Sequence, residues 1–161
     1  MIAEKVLGTL RATDKHVDYV EIDWFERDKT VLRKVTADGQ EIGIRIASPL
    51  NEGDILFENE TTIIAVTIAP CDLVRVQVKT LEEMGRLCFE LGNRHLSLSI
   101  SGNTVRCPYD EPTFMYLAHL GFHPDKVSEK FDGYIECKAH AHSHNHAHDS
   151  DHEHTHEHSH G

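Results

Sequence analysis

The hydrophobic pattern of this 161-residue chain changes after Pro70, and this change constrains the fold more than any other feature. Before Pro70, apolar residues recur at every second position, as in Ile42, Ile44 and Ile46, which is the period of a half-buried strand. After it, strand patterns alternate with apolar residues at helical spacing. The sequence therefore predicts an α+β chain of two small domains in series, which its length can accommodate.

Residues 1–71 carry strand patterns that are separated by turn signals. Asp38-Gly39 is a strong hairpin signal, and a second turn extends from Leu50 to Asp54. Without any helical period between them, these segments predict a small all-β domain, built as a compact sandwich or half-barrel. The predicted strands are residues 17–24, 33–37, 40–47, 55–58 and 61–69.

Residues 72–138 contain two predicted helices. Thr80 is the expected N-cap of the first helix, with Glu83 completing a capping box and Gly92 as the left-handed residue that ends it. Asp110 is the expected cap of the second helix, which ends before Gly121.

Four strand patterns surround these helices, so the order βαββαβ predicts a ferredoxin-like domain. The predicted strands are residues 73–78, 96–101 and 104–107, with a short closing strand around residues 134–137.

Residues 139–161 form a low-complexity tail that holds ten of the 14 histidines, no lysine and no arginine. Only three alanines in it are apolar, so we expect the tail to be disordered without a ligand. Imidazole binds nickel, zinc and copper, and alternating histidines on a flexible chain can converge on one ion. The candidate metal ligands are His140, His142, His144, His146, His148, His152, His154, His156, His158 and His160.

The charge of the chain restricts its partners. A formal net charge of −11 without a basic run disfavours nucleic acid and anionic membranes, whereas it favours cations. The first residues are charged where a signal peptide needs an apolar stretch, and no apolar run is long enough to span a membrane, so we expect a cytoplasmic protein.

The four cysteines are too widely spaced to form a Cys-x-x-Cys pair, and we expect reduced thiols. Cys137, which adjoins the tail, is a candidate donor for a soft metal. Outside the tail, the chain carries none of the His-Glu-x-x-His, Gly-x-Ser-x-Gly or phosphate-loop motifs, so the sequence predicts a protein that is not an enzyme.

His95 lies in the tight passage from the first helix to the next strand. A histidine there can complement the helix dipole or bond the last carbonyls, and it can equally serve as a metal ligand. Spacing alone leaves both interpretations open.

The segment Leu91-Gly92-Asn93-Arg94-His95 resembles the Leu-Gly-Asn-Arg-His signature of the urease accessory protein E (UreE) family, the nickel metallochaperones of urease maturation. The Leu50-x-x-Gly53-Asp54 turn in a β-rich front half and the terminal His-rich tail resemble the same family. The likeness covers essentially the whole chain.

This resemblance implies a cytoplasmic homodimer with a peptide-binding-like β domain and a ferredoxin-like metal-binding domain. It maps the signature histidine on His95, two copies of which bind Ni(II) where the protomers meet. The expected partners are urease maturation proteins, including a GTPase. Some members have a further His-x-His pair where this chain has Tyr109-Asp110-Glu111, so either an oxygen of Asp110 or Glu111 or the tail histidines can take its place.

The residues leave two alternative functions open. The tail alone can act as a store or sink for divalent metals, with Zn(II) or Cu(II) bound in vitro as well as Ni(II). The protein can also be a metal-independent interaction module in urease assembly.

Overall fold

The computed structural model describes residues 1–136. Cys137, Lys138 and the His-rich tail lie outside the described residues. Within residues 1–136, no helix is long and apolar enough to cross a membrane.

The N-terminal domain consists of two sheets that enclose one buried cluster. Val20 and Ile64 of one sheet belong to the same cluster as Leu32, Ile42 and Ile44 of the other, so the prediction of a small β domain is confirmed as a sandwich. The sheet orders are β1-β5-β4 and β2-β6-β7-β3. The strands are β1 Ile2–Ala3, β2 Gly8–Thr9, β3 His16–Ile22, β4 Val31–Val35, β5 Glu41–Arg45, β6 Asp54–Glu58 and β7 Thr62–Ile68.

The Asp38-Gly39 turn joins β4 to β5 as predicted, with Gly39 at a φ of 89°. Strands β1 and β2, which have only two residues each, were not predicted from the sequence. The predicted strand over residues 17–24 ends early because Trp24–Glu26 forms a 3₁₀ turn. The Glu26 carboxylate accepts a hydrogen bond from the Asp23 amide at 3.1 Å, which stabilises this turn.

The C-terminal domain has the βαββαβ order of a ferredoxin-like fold, as predicted. Its sheet is antiparallel with the order β11-β8-β10-β9, and residues from β8 and β10 form one buried cluster with Leu87, Leu91 and Leu117 of the two helices. The elements are β8 Pro70–Gln77, α1 Leu81–Asn93, β9 Ser99–Ser101, β10 Thr104–Pro108, α2 Glu111–His119 and β11 Pro124–Lys130.

The prediction of a closing strand at residues 134–137 was wrong. The fourth strand is β11, which pairs along its length with β8. Its sequence is mostly charged and polar, Pro-Asp-Lys-Val-Ser-Glu-Lys, as the sequences of edge strands often are. It therefore lacks the β-branched and alternating pattern from which a strand is predicted. Of the predicted segment, Ile135 forms one isolated bridge with Leu98, whereas Cys137 lies outside the described residues.

Both predicted N-cap residues cap their helices in the structure. The Thr80 hydroxyl accepts a hydrogen bond from the Glu83 amide at 3.1 Å, and Asp110 caps α2 through the Thr113 amide at 3.0 Å. The expected capping box is incomplete, because the Glu83 carboxylate accepts from the Lys79 amide, one residue before the cap.

The two domains contact each other through an aromatic cluster. Trp24 of the first domain packs edge-on against Phe131 and Tyr134, with ring centroids 5.2 and 5.6 Å away. Phe131 is fully buried and stacks on Tyr134 at 4.7 Å, while the Arg27 guanidinium lies over the Tyr134 ring. The segment that leads to the tail is thereby fixed to the first domain.

We expect Phe131→Ala to lower the free energy of unfolding by about 3–5 kcal/mol, because it leaves a cavity at the domain junction. Phe25→Ala is the matched control, since Phe25 also meets Trp24 edge-on but is 59% exposed. Its expected cost is about 1 kcal/mol or less. Denaturant unfolding of both variants measures the difference, and equal losses would contradict a junction held by Phe131.

Candidate metal centre

Helix α1 ends in a Schellman motif that places His95 outside the last turn. The Leu96 amide donates to the Leu91 carbonyl at 3.1 Å, and the His95 amide donates to the Gly92 carbonyl at 2.9 Å. His95 is therefore the residue after the C-cap. It has a φ of 57° and is the one non-glycine residue with positive φ among residues 1–136.

The prediction that Gly92 is the left-handed residue was wrong. Gly92 lies within α1, which continues to Asn93 with Arg94 as its C-cap. The reason is the apolar contact that closes a Schellman motif, which here falls between buried Leu91 and half-buried Leu96 of the same cluster. A non-glycine residue costs about 1 kcal/mol in the left-handed region, so the backbone of His95 is strained.

Arg94 ties this turn to the second helix. Its Nε donates to the Thr113 hydroxyl at 3.1 Å, and its guanidinium lies 4.9 Å from the centre of the Tyr116 ring. The Tyr116 hydroxyl in turn donates to Glu90 of α1 at 2.7 Å. Sequence reasoning missed this positioning role, although Arg94 stands inside the recognised signature.

His95 is exposed beside a shallow concave surface that Asn93, Asp110 and Thr113 also line. Asp110 is already engaged as the cap of α2 through Oδ1. Within residues 1–136, no group of three or more His, Cys, Asp or Glu side chains is placed to hold a metal.

The end of the described chain is paired with the segment that follows His95. Leu98 and Ile135 exchange two backbone hydrogen bonds, of 2.7 and 3.1 Å, in an antiparallel bridge. Because the bridge is antiparallel, the chain leaves Ile135 in the direction that leads from Leu98 back to His95. The ten tail histidines lie outside the described residues, so their ligand role stays a prediction, as does that of His95.

Within residues 1–136, the other three histidines belong to no group of three or more potential metal ligands. His119 ends α2, and Gly121, with a φ of 91°, separates it from exposed His123. The His16 ring lies 2.6 Å from the Asp38 carboxylate, whose hydrogen bond raises the pKa of His16.

The cysteines differ in burial. Burial raises the pKa of the Cys107 thiol to about 12, with a smaller effect of Asp110. Cys71 and Cys88 are half-buried, and burial raises the pKa of both thiols as well. All three are therefore protonated at neutral pH.

Two family models match the chain in the order of its two domains. Residues 3–69 match the model described as UreE urease accessory protein, N-terminal domain, and residues 71–160 match the corresponding C-terminal domain. The fold and the matches together define a two-domain urease accessory protein.

Individual proteins that are similar to this chain are also described as urease accessory proteins. The chain is 41% identical over 144 residues to urease accessory protein UreE of Bifidobacterium longum subsp. infantis, covering 87% of this chain and 65% of that protein. It is 40% identical to the UreE protein of Flavobacterium johnsoniae, covering 79% of this chain and 81% of that protein. The UreE protein of Acetivibrio thermocellus is 39% identical, with 81 and 88% covered. The chain belongs to the UreE family, and the resemblance is confirmed.

We expect His95→Gly to be more stable than His95→Ala by about 1 kcal/mol, because only glycine adopts a φ of 57° without strain. Both variants lose the same side-chain contacts, so their difference isolates the backbone contribution. Denaturant midpoints measure it. An alanine variant as stable as the glycine variant would contradict the left-handed conformation of residue 95.

Proposed function

We propose that the protein is a nickel metallochaperone, which binds Ni(II) and delivers it for assembly of the urease metallocentre without catalysing a reaction. The observation that carries the proposal is the strained position of His95. A histidine in a position that favours glycine indicates that the imidazole itself is required there. Membership of the UreE family supports urease as the destination.

The active form that we infer is a homodimer. Leu81, Gly85 and Phe89 follow one another at intervals of four on the solvent side of α1, and we call them the α1 stripe. Leu81 is 90% and Phe89 is 66% exposed, whereas a Cβ at Gly85 would meet no atom within 4 Å. An apolar stripe with a glycine notch suits close packing against a second copy of the same helix.

The α1 stripe lies on the helix that ends at His95, so a two-fold contact there brings two imidazoles toward one axis. One ligand per protomer becomes two facing ligands, whereas residues 1–136 of one chain contain no group of three or more ligating side chains.

Tail histidines supply the remaining ligands in this proposal. Leu98 and Ile135 are paired, and the three residues from Leu98 back to His95 span at most about 11 Å. His140 is five residues beyond Ile135 and reaches up to about 18 Å, so it and every later histidine can reach His95.

Delivery requires ligands that exchange. Imidazoles on a long tail can dissociate one at a time, unlike the ligands of a closed four-ligand cage. The proposed recipients are the urease maturation proteins, including their GTPase, in the cytoplasm.

In the full chain, we expect His95→Gly to raise the Kd of the most tightly bound Ni(II) ion about tenfold or more, which corresponds to about 1.4 kcal/mol. The fold should be retained. Removing residues 139–161 should lower the number of nickel ions bound, because ten imidazoles are lost. Calorimetric titration with Ni(II) measures both effects.

His119→Gln is the control for this titration, since His119 is an exposed histidine at the end of the other helix. It should leave nickel affinity unchanged. If the truncation abolishes all binding and His95→Gly changes nothing, the protein is a tail-based metal store and the chaperone site is wrong.

We expect Phe89→Glu to weaken the dimer by about a hundredfold or more, since the symmetric interface loses two buried phenylalanines at about 1.5–3 kcal/mol each. Val31→Glu is the matched control, because Val31 of β4 is 67% exposed in the other domain. Light scattering over a dilution series gives the oligomeric state. Equal masses for wild type and Phe89→Glu would refute the α1 stripe as the interface.

A further inference from the structure

A cavity of about 530 Å³ lies at the junction of the two domains. Tyr19 and Glu21 of β3 and Val35 of β4 line it from the first domain, and Lys130 of β11 lines it from the second. It shares no residue with the concave surface beside His95, so the two sites are separate.

The lysine in this cavity already has its partners. The Lys130 ammonium donates to the Glu52 carboxylate at 2.7 Å and to the Thr67 hydroxyl at 2.8 Å. Glu52 also accepts a hydrogen bond from the Ile68 amide at 2.7 Å, which fixes this ion pair to β7. The other carboxylate of the cavity belongs to Glu21, and it has neither a hydrogen bond nor an ion pair within residues 1–136.

Tyr19 differs from the other three tyrosines, all of which lie within residues 1–136. Each of those three has a cation over its ring, namely Lys126 over Tyr109, Arg94 over Tyr116 and Arg27 over Tyr134. Tyr19 has none and is 39% exposed. Because it stands two residues before Glu21 on β3, the two side chains lie on the same face of the strand. An aromatic ring and a carboxylate, both without a cation, are thus neighbours in the cavity.

We propose that this cavity is the docking site for an arginine side chain of a partner protein. A guanidinium is planar and weakly hydrated, stacks on aromatic rings and can donate two parallel hydrogen bonds to one carboxylate. Tyr19 and Glu21 offer these two interactions together. The apolar stem of the arginine can pack against Val35, which is 58% exposed. A net charge of −11 favours the approach of a basic partner surface.

The test uses the full chain without nickel and a short probe peptide, acetyl-leucyl-arginyl-leucinamide. Chemical shifts of the backbone amides in NMR spectra give both the location and the Kd of binding. We expect the largest shifts at Tyr19, Glu21 and Val35. A peptide with citrulline in place of arginine keeps the shape but loses the charge, so its Kd should be about fivefold higher or more.

Two variants test the two interactions separately. Glu21→Gln should raise the Kd of the arginine peptide about fivefold or more, because the carboxylate is lost. Tyr19→Leu should raise it about threefold, which is the effect of one exposed cation–π contact. Both residues are exposed, and the amide shifts outside the cavity report whether each variant keeps its fold.

Glu60→Gln is the matched control, since it makes the same change of charge in the same domain. Glu60 is exposed in the turn between β6 and β7, has no ion pair within residues 1–136 and does not line the cavity. It should leave the Kd of the peptide unchanged.

Equal Kd values for the arginine and citrulline peptides, or an unchanged Kd in Glu21→Gln, would overturn the site. Free arginine that binds as tightly as the peptide would assign the cavity to a small molecule and overturn the partner protein. The nickel affinity of Glu21→Gln should equal that of the wild type, so this test stands apart from the test of the nickel site.

Discussion

Strand β8 is the element on which the rest of the molecule depends. A single residue, Ala69, separates it from β7 of the first domain, so the two sheets are joined with almost no linker. Both edges of β8 are paired, with β10 on one side and β11 on the other, and its buried valines face the helices. Pairing of Pro70 with Lys130 returns the chain to the junction, where Phe131 packs against Trp24.

The candidate metal centre is built from one local and two long-range interactions. The Schellman turn forces residue 95 into the left-handed region, and Arg94 anchors that turn to Thr113 of α2. The bridge between Leu98 and Ile135 then holds the last described residues beside the segment that follows His95. The proposed metal ligand, His95, therefore lies on a turn that is anchored to α2 and is near the end of the described chain.

Local signals in the sequence predicted local structure well. Thr80 and Asp110 cap their helices, and Asp38-Gly39 forms the hairpin turn, because each of these effects involves atoms only a few residues apart. The assignment of Gly92 failed because glycine preference competed with the apolar contact between Leu91 and Leu96, and the contact prevailed. Strand β11 was missed because its stability comes from pairing with β8, which its polar sequence does not reveal.

By itself, the sequence determined the two-domain order, the helix starts, the acidic charge and the histidine content of the tail, since composition and short-range periodicity encode these properties. Only the tertiary structure decided the conformation of His95 and the position of the closing strand. These features depend on which distant segments share a surface. Sheet pairing and core packing select that arrangement from many that the local pattern allows.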